Sequence, residues 1–334
     1  MIKNSEDSWV KEYENCNLCE WKCGVNRTKE TGVCNAKMPE VAYTCLSEPL
    51  KSYSITLPGC NFTCLFCDAY QLSQPLNTSW YFRDYIDPKK LAKETADRIG
   101  KKDIERITFT GGEASVNLPY IEKFSKEVKR ILPEIKIGLS TNGFETEDNM
   151  KRAMDICSYA TFEIKAFNKD THLALTGAPI EPVLRNAEYL LKNKGKARAF
   201  RTVVIPRIND HEIEDIAKFI ASVDSSTPYN LIGFRPFYIL TDHPGPTSKE
   251  MESVAERCRK HLEKVTWCGS YPEDIKFDGY GAELAKRYSE LSRNKSAECK
   301  IEKRTCKTCE LDKSCSGSTA MLELKDKHKQ IGNL

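Results

Sequence analysis

Three cysteines stand in the stretch Pro58-Gly-Cys60-Asn-Phe-Thr-Cys64-Leu-Phe-Cys67, at the spacing Cys-x3-Cys-x2-Cys. Three thiolates on one short loop can ligate three irons of a cubane [4Fe–4S] cluster and leave the fourth iron open to a small molecule. A structural zinc site would need a fourth protein ligand and a catalytic one a bound water. No fourth Cys or His lies within the loop. Two more groups flank it, Cys16, Cys19, Cys23 and Cys34 before and Cys299, Cys306, Cys309 and Cys315 after. Four thiolates suit structural zinc or a closed [4Fe–4S] centre equally, so one or two auxiliary iron–sulfur clusters or zinc sites are expected.

The elements around this loop alternate. Residues 52–57 read as a strand that ends at the cysteine loop. Asp87-Pro88 opens a helix with Leu91, Ala92, Thr95, Ala96 and Ile99 on one face and Gly100 behind it, the cap-and-proline start and glycine stop of an amphipathic helix. Further strands are read at 106–110, 135–139, 159–164, 200–205 and 231–234. The helices between them carry Ile121, Phe124, Val128 and Ile131, then Met150, Ala153 and Met154, then 183–191, then Ile213, Ile216, Ala217 and Ile220. A last stripe runs Met251, Val254, Ala255, Cys258 and Leu262. Six strand–helix units predict a parallel α/β sheet. They are too few to close an eight-stranded barrel, so a partial (β/α)6 TIM-like barrel is expected, with its ligand site at the C-terminal ends of the strands.

The motifs at those strand ends carry a resemblance. The cysteine loop, its place after the first strand and the aromatic Phe66 before Cys67 resemble the signature of the radical S-adenosylmethionine superfamily. Thr110-Gly111-Gly112-Glu113 resembles that family's Gly-Gly-Glu segment, implying a contact to the methionine amino group. Ser140-Thr-Asn142-Gly143, Glu163-Ile-Lys165 and Arg201 are similar to stretches in the glycyl-radical-enzyme-activase branch, related to pyruvate formate-lyase activase. There the matching positions contact the ribose, carboxylate and methionine portions of the cofactor. That branch has a His shortly after the Pro that ends the sixth strand, where this chain reads Arg235-Pro-Phe-Tyr238. Tyr238 can donate one hydrogen bond but carries no charge near neutral pH.

The resemblance implies a radical S-adenosylmethionine oxidoreductase, activase-like and anaerobic. Its cofactors would be a [4Fe–4S] cluster and S-adenosylmethionine, its electrons would come from a one-electron donor such as ferredoxin or flavodoxin, and its substrate would be a protein or peptide. A small metabolite as substrate and a non-catalytic zinc or iron–sulfur scaffold are the alternatives. The expected layout is a cysteine-rich segment over 1–51, the partial barrel over 52–292 and a second cysteine-rich segment over 293–334. Cys157 and Cys258 read as small core hydrophobes. Cys45 is a further candidate ligand for the first group, and Cys268 has no assignment. The five histidines form no recognisable nucleophile–base pair.

Composition narrows the class. The chain has 334 residues, 51 Lys plus Arg against 48 Asp plus Glu, and a net charge of +3. A balance this even gives no electrostatic footprint for a nucleic-acid or membrane-surface partner. No apolar run of ~18 residues suggests a membrane span, and the polar start has no signal-peptide pattern, so a cytoplasmic location is expected.

Overall fold

In the computed structural model, residues 8–73 and 85–271 are described. They form one eight-stranded sheet in sequential order: β1 Tyr43–Ser47, β2 Ser52–Leu57, β3 Arg106–Gly111, β4 Lys136–Thr141, β5 Tyr159–Glu163, β6 Ala197–Val204, β7 Tyr229–Gly233 and β8 Val265–Cys268. β1 pairs antiparallel with β2, and every later neighbour is parallel. The helices are α1 Tyr70–Ser73, α2 Pro88–Ile99, α3 Leu118–Ile131, α4 Glu147–Ile156, α5 Lys169–Thr176, α6 Glu181–Lys192, α7 Ile213–Ala221 and α8 Ser248–Arg259. Among the described residues β1 and β8 are the two sheet edges, so this is an open α/β sheet.

The six expected strands appear as β2 to β7. The sheet is wider than expected because each edge gains one more strand. Within the 1–51 segment, residues 8–51 do not stand apart from the sheet, since β1 turns at 48–51 straight into register with β2, Tyr43 opposite Thr56. Trp9, Val10, Tyr13 and Leu18 are buried in the same core as β2 and β3. The 293–334 segment and its four cysteines lie outside the described residues.

Local chemistry explains the helices. The Asp87 carboxylate accepts from the N–H groups of Lys89 and Lys90 at 2.9 and 3.1 Å, Pro88 takes the first helical position, and Gly100 ends α2 with φ of 51°. Thr247 and Glu250 cap α8 reciprocally, which satisfies two amides that the first turn would otherwise leave open. Inward faces bury Leu91, Ala92 and Ile99 of α2 and Ile121, Phe124 and Val128 of α3 against Ile55, Ile107, Phe109, Ile137 and Leu139 of the sheet. Cys157 and Cys258 are buried among these apolar groups, as expected. Among the described residues no helix is long and apolar enough to cross a membrane.

Candidate active site at the strand ends

The cysteine loop leaves the C-terminal end of β2 and is fixed by backbone partners far away in sequence. The Cys60 N–H donates to the Cys34 carbonyl at 2.8 Å, Thr63 N–H to Thr176 O at 2.8 Å and Leu65 N–H to Leu175 O at 3.0 Å. In return the Leu65 carbonyl accepts from Ile239 N–H at 3.0 Å and Leu240 N–H at 3.2 Å. A buried loop must pair its peptide groups, and here the N-terminal segment, the end of α5 and the 238–240 turn pair with it.

The two glycines at the end of β3, Gly111 and Gly112, serve a nearer neighbour than a ligand. A Cβ on Gly111 would fall 2.0 Å from the Leu57 carbonyl oxygen, and one on Gly112 would fall 2.2 Å from that of Gly59. Gly111 also has φ of 135°, a region costly for any residue with a side chain. Bare backbone there lets Gly112 N–H reach Leu57 O at 3.0 Å and Glu113 N–H reach Gly59 O at 2.7 Å. The Gly-Gly pair thus clamps the end of β3 onto the start of the cysteine loop.

Glu113 follows into this buried wedge. One carboxylate oxygen accepts from Ser115 N–H at 3.1 Å, the other from Asn142 N–H at 2.6 Å. Burial, then the nearby Glu145 carboxyl, push its pKa up to about 8. Asn142, just past β4, donates to Asn61 Oδ1 at 2.8 Å and lies 3.9 Å from the Cys60 sulfur. Ser140 sits in β4 opposite Thr161.

The far side of the loop carries charge. Glu163 ends β5 opposite Arg201 of β6 and pairs with Lys165. Burial works against both charges, but Lys165 and Arg201 outweigh it and hold Glu163 below the usual carboxylate range. Glu163 and Cys64 likewise hold Lys165 above its usual value. Tyr238 adopts φ of 57° and stacks on Tyr70, ring centroids 5.2 Å apart, where the chain continues from Cys67. Phe66 is buried within the loop.

The donor set fits a cationic cluster. Cys60, Cys64 and Cys67 are free thiols. Burial pushes Cys60 well above its ordinary value, Cys64 to about 12 and Cys67 to about 11, with Lys165 pulling the last two down. Three neighbouring thiols, two buried and Cys67 half-buried, become thiolates together only beside strong positive charge, which iron supplies. Among the described residues no three His, Cys, Asp or Glu side chains are spaced for a single metal ion. A cubane instead spreads its thiolates over separate corners.

The structure therefore brings Cys60, Cys64, Cys67, Phe66, Gly111, Gly112, Glu113, Asn142, Glu163, Lys165, Arg201 and Tyr238 to one rim of the sheet, and it places Ser140 in the adjoining strand. Cys16, Cys19, Cys23 and Cys34 gather beside that rim, through the Cys34–Cys60 hydrogen bond. Asn61 and Glu145 were not singled out from the sequence. Asn61 lay in plain view inside the cysteine motif, whereas Glu145 sits just past the Ser-Thr-Asn-Gly stretch and gains meaning only through its closeness to Glu113.

The chain is similar to several known proteins. An uncharacterized protein of Methanocaldococcus jannaschii is 25% identical over 271 residues, 75% of each chain. A pyruvate formate-lyase-activating enzyme of Staphylococcus epidermidis is 27% identical over 203 residues, 57% of this chain and 76% of the relative. The crystal structure of SuiB from Streptococcus suis is 14% identical, with a TM-score of 0.49 over 67% of this chain and 52% of that one. The family model described as the radical SAM superfamily matches residues 54–220, half of the chain, beginning in β2 just ahead of the cysteine loop. A strand-end rim built around three free thiols and a matching family model make this chain a member of the radical SAM superfamily.

Proposed function

We propose that the protein is a radical S-adenosylmethionine enzyme acting on a protein or peptide, either to activate a glycyl radical enzyme or to modify a polypeptide. The observation that carries this reading is the gathering, at one end of the parallel sheet, of the Cys60–Cys64–Cys67 loop with Glu113 and Asn142 on one side and Glu163, Lys165 and Arg201 on the other. When bound, a [4Fe–4S] cluster and S-adenosylmethionine supply one-electron cleavage of the sulfonium and a carbon radical able to take a hydrogen atom.

The chain's own groups do the positioning. Cys60, Cys64 and Cys67 would hold the cluster. Glu113, raised by its surroundings, gains a favourable charge partner when an ammonium group approaches. Lys165 and Arg201 present cations to a carboxylate, and Ser140, Asn142 and Glu163 offer hydrogen bonds to ribose hydroxyls. Phe66 and the stacked Tyr70–Tyr238 pair keep water off the loop, which protects a reactive radical. The activase-type relatives support the polypeptide substrate, since by name the Staphylococcus enzyme activates another enzyme. A ferredoxin- or flavodoxin-like donor would deliver the electron.

Anaerobic reconstitution tests the reading. The unsubstituted protein should bind iron and sulfide at the loop and form 5′-deoxyadenosine only with reductant. Cys64→Ala should abolish that turnover, since it removes one of the three loop ligands; turnover retained in the variant overturns the assignment. With extract from deuterium-grown cells, deuterium should reach 5′-deoxyadenosine from the dialysed macromolecular fraction. Deuterium arriving only from the small-molecule fraction would move the substrate to a metabolite.

A further inference from the structure

Arg27 is fully buried, with none of its surface exposed to solvent. Its guanidinium donates to Val116 O at 2.5 Å, to Lys37 O at 2.7 and 3.0 Å and to Asn117 Oδ1 at 2.7 Å, and Nη1 lies 4.0 Å from the Cys16 sulfur. The Tyr13 ring covers one face, 4.8 Å from the centroid. Among the described residues none of these contacts is a carboxylate. An arginine keeps its proton in any protein, and a buried cation without an anion is strongly disfavoured.

The anion must come from what surrounds it. The Cys16 sulfur lies against the guanidinium, Cys23 Sγ reaches the Cys16 carbonyl at 3.9 Å, Gly32 faces both the Cys34 sulfur and Arg27 Cδ, and Cys19 lies in the same 16–25 loop. All four are free thiols, three of them buried. The backbone is shaped to present them. Cys16 N–H donates to Val25 O at 3.1 Å and Gly24 N–H to Cys16 O at 3.0 Å, closing a tight loop around Cys19 and Cys23. Lys22, Gly24 and Asn35 take positive φ, and a Cβ on Gly32 would press the Cys34 sulfur at 3.4 Å.

We infer that Cys16, Cys19, Cys23 and Cys34 form a second metal centre, a tetrathiolate site for zinc or an iron–sulfur cluster, with Arg27 as its buried counter-cation. Four thiolates around a divalent ion or an oxidised [4Fe–4S] core leave a net double negative charge, and Arg27 cancels half of it. Among the described residues no three of these thiols stand at the spacing of a single ion; a [4Fe–4S] core, which takes its thiolates at separate irons, suits the wider spacing. The site shares walls with the radical SAM rim. Cys34 O accepts from Cys60 N–H, Trp21 Nε1 donates to Asn61 O at 2.7 Å, and Arg27 holds the 116–117 turn that Glu113 starts.

The test counts metal independently of the first cluster. Full-length protein carrying Ala at Cys60, Cys64, Cys67, Cys299, Cys306, Cys309 and Cys315 is produced with iron and zinc and purified under nitrogen. It should retain about one zinc, or about four iron with matching sulfide, per chain, and X-ray absorption should show about four sulfur neighbours at ~2.3 Å. The zinc and iron outcomes identify the metal and both uphold the centre. Adding Cys19→Ser and Cys34→Ser should empty it. Arg27→Met should weaken metal retention against a chelator about 10–100-fold, and Arg27→Lys should restore part of it. A folded protein, judged by circular dichroism, that holds no metal overturns the proposal, as does metal indifferent to Cys19→Ser and Cys34→Ser. If the sevenfold variant does not fold, Cys19→Ser/Cys34→Ser is introduced alone into the unsubstituted chain. Loss of one centre's metal then upholds the site, and an unchanged total overturns it.

Discussion

Glu113 and Glu145 are two buried carboxyls that raise one another's cost of ionising. Burial comes first for both, and the Glu145 charge adds to it at Glu113. Glu113 moves from an ordinary 4.5 to about 8 in the folded chain. A carboxyl whose folded value is raised contributes stability that is fully present below pH 4.5 and is lost as pH climbs through 8. The metal-free protein should therefore grow less stable between those limits. Glu145→Gln keeps an oxygen for the Thr141 hydroxyl and removes the repulsion. It should stabilise the metal-free protein by about 1–2 kcal/mol at pH 8 and by little at pH 5, since one pKa unit is worth about 1.4 kcal/mol. Urea titrations at the two pH values check this, and an equal effect at both would contradict it. Residues such as Arg27, Asn61 and Glu145 escape a reading of the sequence for one physical reason. Their roles come from neighbours brought together by folding, Val116 and Asn117 for Arg27 and Cys60 for Asn61's partner Asn142. Cys60, Cys64 and Cys67 were legible because their spacing alone limits what they can ligate.

Among the elements, the β3 end and the cysteine loop behave as one unit. Gly112→Ala would drive a Cβ into the Gly59 carbonyl, backbone against backbone, with no flexible side chain to yield. Overpacking of this kind costs about 1–3 kcal/mol, so a lower thermal midpoint and reduced iron retention should appear together; an unchanged midpoint would show that the clamp is not required. The strands β2 to β7 were readable because each carries an apolar run followed by a helix with a clear inward stripe. β1 and β8 were not: both lie at the edges, and β8 is only four residues long. Tyr43-Thr-Cys-Leu-Ser47 lacks a helix to mark it off. It is held by a short antiparallel turn to β2, a local pairing with none of the βα punctuation that betrays the others. The glycines at 111 and 112 were recognised by type, but the close approach they permit is to Leu57 and Gly59, a partnership set by strand register.

At the scale of the whole molecule, the N-terminal cysteine segment is part of the main core. Trp9, Tyr13 and Tyr120 pack edge to face, with centroids 5.9 to 6.0 Å apart, and Arg152 joins Glu12 to Glu122. Deleting residues 1–41 should strip a wall from the β2–β3 core and give aggregation or a clearly lower melting temperature, measured by calorimetry. A truncated protein that melts as the full chain does would mean the segment is a free appendage. Legibility at this scale was uneven. The alternation of strands and helices announced a parallel α/β sheet with too few units to close a barrel, whereas the integration of residues 8–47 depends on pairings too distant for any local pattern to reveal.

That distance has a consequence for how the molecule is made. Glu20, inside the first cysteine group, pairs with Arg185, 165 residues later, and Trp21 rests on Phe144. During synthesis at roughly 5–20 residues per second, the earliest thiols leave the ribosome roughly 10–30 seconds before the partners that cover them. In that interval they are open to oxygen and to stray ions. A cell starved of reducing power during translation should therefore accumulate nascent chains damaged most at Cys16 to Cys34, the thiols left waiting longest for their cover.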